Sequence, residues 1–164
     1  ADVRELLLHF RTRTQEQDIE PALRSTLHKF ELQSGLQASL KYEGHGQPLD
    51  PDVQIQVLHV LQEALSNVRK HAQAHRVELE VQSLPTWRFR VRDDGRGFDP
   101  AIQARDQAAH IGMQIMRERA ASIGAQLAIE SAPRQGTTVT LELPTPDYPL
   151  RPSLPTSTPA PHAA

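Results

Sequence analysis

The chain has 164 residues, 38% of them apolar and 23% charged, which is enough for one core and a short appendage. With 18 basic against 20 acidic residues the net charge is -2, which excludes a nucleic-acid binder or membrane-surface protein relying on bulk positive charge. The absence of cysteine excludes a disulfide scaffold, a thiolate zinc site and a cysteine nucleophile, and fits residence in the cytoplasm.

The first residues, Ala1-Asp2-Val3-Arg4-Glu5, lack the charged and apolar regions of a signal peptide and lack an initiator methionine, as expected of a piece of a longer protein. No apolar run approaches the roughly 18 residues that span a bilayer. Val3, Leu6, Leu7 and Phe10 share one helical face, too short to stand alone, and read as the end of a longer helix, with residues 1–17 forming that remnant and a linker. Asp18 is the expected N-cap of a second helix, with Pro21 in its first turn, Leu23, Leu27 and Phe30 as its stripe, and Ser34-Gly35 as its end. Leu36 to Tyr42 alternates as a half-buried strand closed by Gly44 to Pro48. Asp50 should cap a long helix from Pro51 to about His71, whose core stripe is Val57, Leu58, Leu61, Ala64, Leu65 and Val68. Val77 to Val81 and Trp87 to Val91 read as strands joined at Ser83 to Thr86. A loop from Asp93 to about His110 leads to a helix from Met113 to Ile123, stopped by Gly124. Leu127 to Ile129 and Thr137 to Leu143 are two further strands around a Pro133 to Gly136 turn.

The four C-terminal strands are spaced as hairpins, which predicts an α+β fold: a two-layer sandwich with a mixed, mostly antiparallel sheet covered by helices on one face. Residues 18–143 form this domain. From Pro144 to Ala164 there are 7 of the 13 prolines, so residues 144–164 read as a disordered Pro-rich tail.

Four features carry chemistry. Glu63, Asn67, Lys70 and His71 lie at i, i+4, i+7 and i+8 on the long helix, a stripe of oxygen and ammonium groups suited to magnesium and phosphate, or else an ordinary solvated face. Asp93-Asp94-Gly95-Arg96-Gly97-Phe98 follows a strand, where glycines admit a flat ligand and an acceptor reads a donor; a plain Asp-Gly turn has the same sequence. His110-Ile111-Gly112-Met113 enters a helix whose N-terminus attracts phosphate, or is a glycine-assisted loop exit. Gly136-Thr137-Thr138 opens the last strand with hydroxyls, or is a hairpin turn followed by β-favouring residues.

Taken in order, Glu63-x-x-x-Asn67-x-x-Lys70-His71, Asp93-x-Gly95-x-Gly97, Gly112 and Gly136-Thr137-Thr138 resemble the N box and three glycine boxes of the Bergerat-fold (GHKL) ATPases. The stretches Leu61 to Ala72 and Gly112 to Ala120 resemble, more narrowly, sensor histidine kinases of the nitrate/nitrite (NarX/NarQ-like) type, over roughly residues 22–143. That resemblance implies ATP and Mg2+ as cofactors and ATP-dependent transfer of the γ-phosphoryl group to a histidine. Asn67 would hold magnesium, Glu63 would act beside the γ-phosphate as the catalytic carboxylate, and Lys70 would neutralise phosphate charge, with His71 and Met113 also at the nucleotide. Asp93 would accept from the adenine amino group and Gly95 and Gly97 would pass the base. Gly112 would sit by the phosphates at the base of a lid spanning about Phe98 to Ile111, and Thr137 or Thr138 would help close the adenine pocket. Two departures weaken the lid and the affinity expected of the site: Asp94 stands where many relatives carry asparagine, and the second glycine box keeps one glycine.

The family's acceptor histidine is followed by an acidic residue. The eight histidines here precede Phe10, Lys29, Gly46, Val60, Ala72, Arg76, Ile111 and Ala163, so none fits. The resemblance therefore implies a catalytic domain acting on a dimerisation helix outside this chain, within an inner-membrane sensor that passes phosphate to a response regulator. No nucleic acid and no membrane contact of this piece are expected. The rivals are a non-catalytic module responding to ATP or ADP, and a serine kinase of the anti-sigma type in the same superfamily. The helix remnant near Arg4 to Phe10 favours the histidine kinase.

Overall fold

Three amphipathic helices, each hydrophobic along one stripe, bury those stripes against one face of a five-stranded sheet. The computed structural model describes residues 18–44, 48–97 and 107–145. The expected N-terminal remnant, the first and larger part of the lid and nearly all of the Pro-rich tail lie outside these residues. Helix α1 spans Glu20–Ser34, β1 Gln37–Glu43, α2 Pro51–Asn67, β2 Arg76–Gln82, β3 Arg88–Asp93, α3 Gln107–Ser122, β4 Gln126–Ser131 and β5 Thr137–Glu142. The sheet order is β1-β2-β3-β5-β4. Only β1 and β2 pair in parallel, because α2 connects them as a crossover; the other three pairings are antiparallel. This is the α+β sandwich that the strand spacing predicts.

The strands alternate as half-buried strands do. Val77, Leu79 and Val81 on β2, Phe89 and Val91 on β3, and Val139 and Leu141 on β5 point inward. They meet Leu23, Leu27 and Phe30 of α1, Val57, Leu61, Ala64 and Leu65 of α2, and Met116 and Ala120 of α3 in one core. Each fully buried Leu, Val or Phe contributes about 1.5–3 kcal/mol relative to exposure, so this single core holds the sheet and its helices together. Gly35 closes α1 in the left-handed conformation (φ 73°), with its N–H bonded to Glu31 O at 2.9 Å.

Element boundaries differ from the sequence expectation at three points. Helix α1 begins at Glu20 with buried Ile19 as its N-cap residue; Asp18 sits one position earlier, where its carboxylate accepts the Glu20 N–H at 3.0 Å. The long helix is regular only to Asn67 and continues as a π-helix over Val68–Ala72. Helix α3 includes Gln107, so Gln107 to Ile111 is helical rather than part of a loop, and Gly112 is interior to it. Among the described residues no helix is long and apolar enough to cross a membrane.

Candidate functional site

The end of α2, the end of β3, the first residue of β5 and the second turn of α3 meet at one corner of the sandwich. Two clusters form there.

The first is a helix crossing. Glu63 and Asn67 are one turn apart on α2, half-buried beside the core stripe. Helix α3 passes over them at Gly112. A Cβ on Gly112 would stand 2.6 Å from Glu63 Oε1 and 3.3 Å from Asn67 Oδ1, so only glycine lets the carboxylate and the amide occupy this spot. Two hard oxygen donors against bare backbone suit Mg2+, which takes one or two protein oxygens and leaves its remaining positions to phosphates and water. Gly112 thus joins Glu63 and Asn67 through the crossing. It is not at a helix N-terminus, and the dipole argument for phosphate at this glycine does not apply.

This geometry sets the outcome of Gly112→Ala. Alanine is favoured over glycine inside a helix by up to about 1 kcal/mol, and its methyl meets the side-chain ends of Glu63 and, less closely, Asn67 rather than backbone. The variant should melt no lower than the parent while losing magnesium-nucleotide affinity by about tenfold, roughly 1.4 kcal/mol. Calorimetric titration beside thermal melts checks both halves.

Lys70 and His71 do not continue the row. The π-helix turns through a smaller angle per residue than the α-helix, so positions 70 and 71 leave the line that i+7 and i+8 offsets imply. Lys70 is exposed and His71 half-buried. The π turn is held from outside: Arg96 donates its backbone N–H to Ala72 O at 2.7 Å and its side-chain Nε–H to His71 O at 2.8 Å. Sequence reasoning gave Arg96 no role, because nothing in the spacing shows that the glycine loop docks on the end of α2.

The second cluster surrounds Asp93, the last residue of the central strand β3 and 6% exposed. Its Oδ1 accepts the Gly95 N–H at 2.8 Å, and the Thr137 N–H also bonds the carboxylate. Burial raises the Asp93 carboxyl above its ordinary value, the Gly95 and Thr137 N–H groups pull it back, and neighbouring Asp94 raises it further. A buried acceptor that lacks full compensation favours a donor arriving from a ligand. Gly95 is required here because a Cβ would collide with Ala72 O, and Gly136 because a Cβ would collide with Asp93 O. Gly97 belongs to the same junction, close against Ala132.

Thr137 is joined to the cluster, its hydroxyl 2.9 Å from Ser131 Oγ, which also donates to Gly136 O at 3.0 Å. Ser131 is a second residue that the motif reading missed. Thr138 is not brought in. It pairs with Arg92 and Glu130 on the outer face of the sheet, one step out of phase with Asp93. Met113 is partly buried and packs against the hydrophobic core.

Asp94, adjacent to Asp93, is structural. Its Oδ1 accepts the N–H groups of His75 at 2.8 Å and Arg76 at 2.9 Å, closing the start of β2. The Arg76 bond, then the His75 bond, hold its carboxyl below the ordinary 3.8. A depressed acid stabilises the fold above its unfolded value and loses that contribution as pH falls through the folded one. Asp94→Asn should therefore be less stable than the parent at neutral pH, with the difference closing as pH drops below 3.8. Chemical denaturation across pH 3 to 7 measures this.

A family model described as histidine kinase-, DNA gyrase B-, and HSP90-like ATPase matches residues 52–147. The chain is 30% identical over 146 residues to the signal transduction histidine-protein kinase/phosphatase DegS of Brevibacillus brevis, covering 88% of this chain and 37% of that protein. It is 31% identical over 118 residues to the nitrate/nitrite sensor protein NarQ of Escherichia coli, covering 71% and 20%. Full-length ShkA in complex with AMPPNP superposes with a TM-score of 0.64 at 22% identity, over 82% of this chain and 32% of that one. The histidine kinase domain of the Erythrobacter litoralis EL346 blue-light activated kinase gives 0.61 at 20% identity, over 73% and 57%. The chain thus spans well under half of the curated relatives it matches.

Proposed function

Because the chain belongs to the histidine kinase-, DNA gyrase B- and HSP90-like ATPase family, we propose that it is the ATP-binding catalytic domain of a two-component sensor histidine kinase. It transfers the γ-phosphoryl group of ATP to a histidine on a dimerisation helix outside this chain, for relay to a response regulator. The observation that carries the reading is the convergence of Glu63 and Asn67 on Gly112 at the same corner as the buried Asp93 carboxylate. Residues 18–143 are assigned to this domain and residues 1–17 to the end of the dimerisation helix and its linker. A parent of the NarX/NarQ-like type, a membrane sensor with this domain on its cytoplasmic side, fits the relatives.

The chain's own residues divide the work. Asp93 accepts a hydrogen bond from the adenine amino group, while Gly95 and Gly136 keep backbone close enough to bound the base. Asn67 offers its amide oxygen to magnesium, and Lys70, exposed at the π turn, reaches phosphate as a mobile cation. Magnesium, when bound, neutralises charge on the phosphate oxygens. Glu63, one turn before Asn67, polarises the incoming imidazole or takes its proton. Phosphoryl transfer requires positioning and charge stabilisation rather than a covalent nucleophile, so this set suffices.

The test is radiolabelling with γ-labelled ATP, with and without the parent's separate helical piece. Acid-labile label should appear on the helical piece alone, and weakly, because the tether's effective concentration is lost. Phosphohistidine on the isolated chain, or acid-stable phosphoserine on a partner, overturns the assignment.

A further inference from the structure

Carbonyl groups in the last turn of a helix have no partner within it and carry its partial negative charge. At the π turn Val68–Ala72, two such carbonyls are met by one residue from another part of the chain. Arg96 gives its backbone N–H to Ala72 O at 2.7 Å and its Nε–H to His71 O at 2.8 Å. The second bond is charge-assisted, roughly twice as strong as a neutral one. Gln73, in the left-handed conformation at φ 49°, then turns the chain away. Arg96 is thus a C-terminal cap for the α2 end, brought from the loop after β3 rather than from the helix's own sequence. Gly95 admits this approach, because a Cβ there would collide with Ala72 O.

The cap is itself anchored. Arg96 O accepts the Arg134 N–H from the β4–β5 turn at 2.6 Å. The residue therefore joins the end of α2, the exit of β3 and the turn before β5. It follows the buried Asp93 carboxylate by three positions and closes the turn on which Lys70 is exposed. A lysine ammonium rides on a flexible four-carbon stem. Its chance of meeting a phosphate at a set distance from a bound base depends on how firmly its backbone is held.

We propose that Arg96 is a positioning residue: by capping the π turn it holds Lys70 at the distance from Asp93 that a nucleotide's phosphates require. The proposal rests on the nucleotide reading of the site and adds to it a residue that touches neither base nor phosphate. Adenosine engages the base end alone and should be indifferent to the cap. ATP needs both ends and should not be.

Amide NMR titrations of the full chain with ATP and with adenosine, at constant magnesium, test this and read affinities as weak as millimolar. Arg96→Met removes the donor to His71 O but keeps the stem and the backbone bond to Ala72 O. It should lose ATP affinity by about tenfold, the size of one charge-assisted contact, with adenosine affinity unchanged. Lys70→Met should show the same pattern. The double variant should bind ATP no more weakly than Lys70→Met alone, since a residue acting through another adds nothing once that other is gone. Arg96→Lys, which keeps a cationic donor for His71 O, should fall between parent and Arg96→Met, and it carries the test should Arg96→Met not fold. Equal losses for adenosine and ATP would make Arg96 a brace for the whole site and overturn the proposal. Losses that add in the double variant overturn it too, by putting the guanidinium on the phosphate itself. A parent that binds neither ATP nor adenosine defeats the nucleotide reading and this proposal together, so the two failures are told apart.

Discussion

Asp93→Asn should weaken ATP binding and shrink the preference for adenine over guanine, with no loss of thermal stability. Adenine presents an amino donor where guanine presents a carbonyl oxygen. Opposed to the Asp93 carboxylate, that oxygen leaves two buried acceptors unpaired, costing roughly 1–3 kcal/mol. The penalty is a preference of between about fivefold and a little over a hundredfold. An amide can turn to donate, so asparagine accepts guanine better and adenine worse. The stability half follows from burial. An acid whose folded value is raised costs the fold stability as pH climbs through that value from the unfolded 3.8. At neutral pH the asparagine variant escapes this cost and still offers an oxygen to the Gly95 N–H. Asp94→Asn, remote from the base through its bonds to His75 and Arg76, should leave selectivity unchanged. ATP and GTP affinities measured beside melting temperature separate the roles. Lower melting with unchanged selectivity would mean that Asp93 only braces the Gly95 turn.

Asn67→Ala should abolish the gain in nucleotide affinity that magnesium brings. Outer-shell partners of metal ligands typically cost 10–100-fold when lost, and a direct oxygen ligand should cost at least as much. The fold should survive, since Asn67 belongs to the polar row of α2 while Val57, Leu61 and Leu65 hold the core. Titrating nucleotide with and without magnesium reads the effect. Equal enhancement in parent and variant would remove Asn67 as the ligand.

The strength of the motif reading was order, and its weakness was phase. Glu63, Asn67, Asp93, Gly95 and Thr137 could be picked out because side-chain chemistry and spacing survive in a linear text. Gly112 was picked out for the wrong physical reason. Glycine costs helix stability, so the residues before it read as loop, whereas the structure spends that cost on letting α3 cross Glu63. No local pattern announces a crossing partner fifty residues away. The π-helix escaped for a related cause, since its wider turn is fixed by Arg96 from another loop. Thr138 is different, because the signal was present. With Val139 and Leu141 read as alternating strand residues, Thr138 had to face away from any site shared with Thr137. The sheet itself was legible because hairpin spacing and alternation are local properties, but the pairing of β3 with β5 was not.

That pairing has a consequence for how the domain opens. The β2–β3 and β4–β5 hairpins are each local in sequence, and they join only where β3 meets β5. Asp93 and Thr137 sit on opposite sides of this join, linked through the Thr137 N–H. A parting of the two hairpins therefore separates the Asp93 carboxylate from its backing strand before either hairpin melts. Nucleotide that needs both sides binds only the joined form, and at a hundred times its dissociation constant it stabilises that form by about 2.7 kcal/mol. Backbone amide exchange along β3 and β5 would then slow by about a hundredfold on saturation. The far hairpin edges would exchange at nearly their former rates, so ligand occupancy would be written in the middle of the sheet and not at its rims.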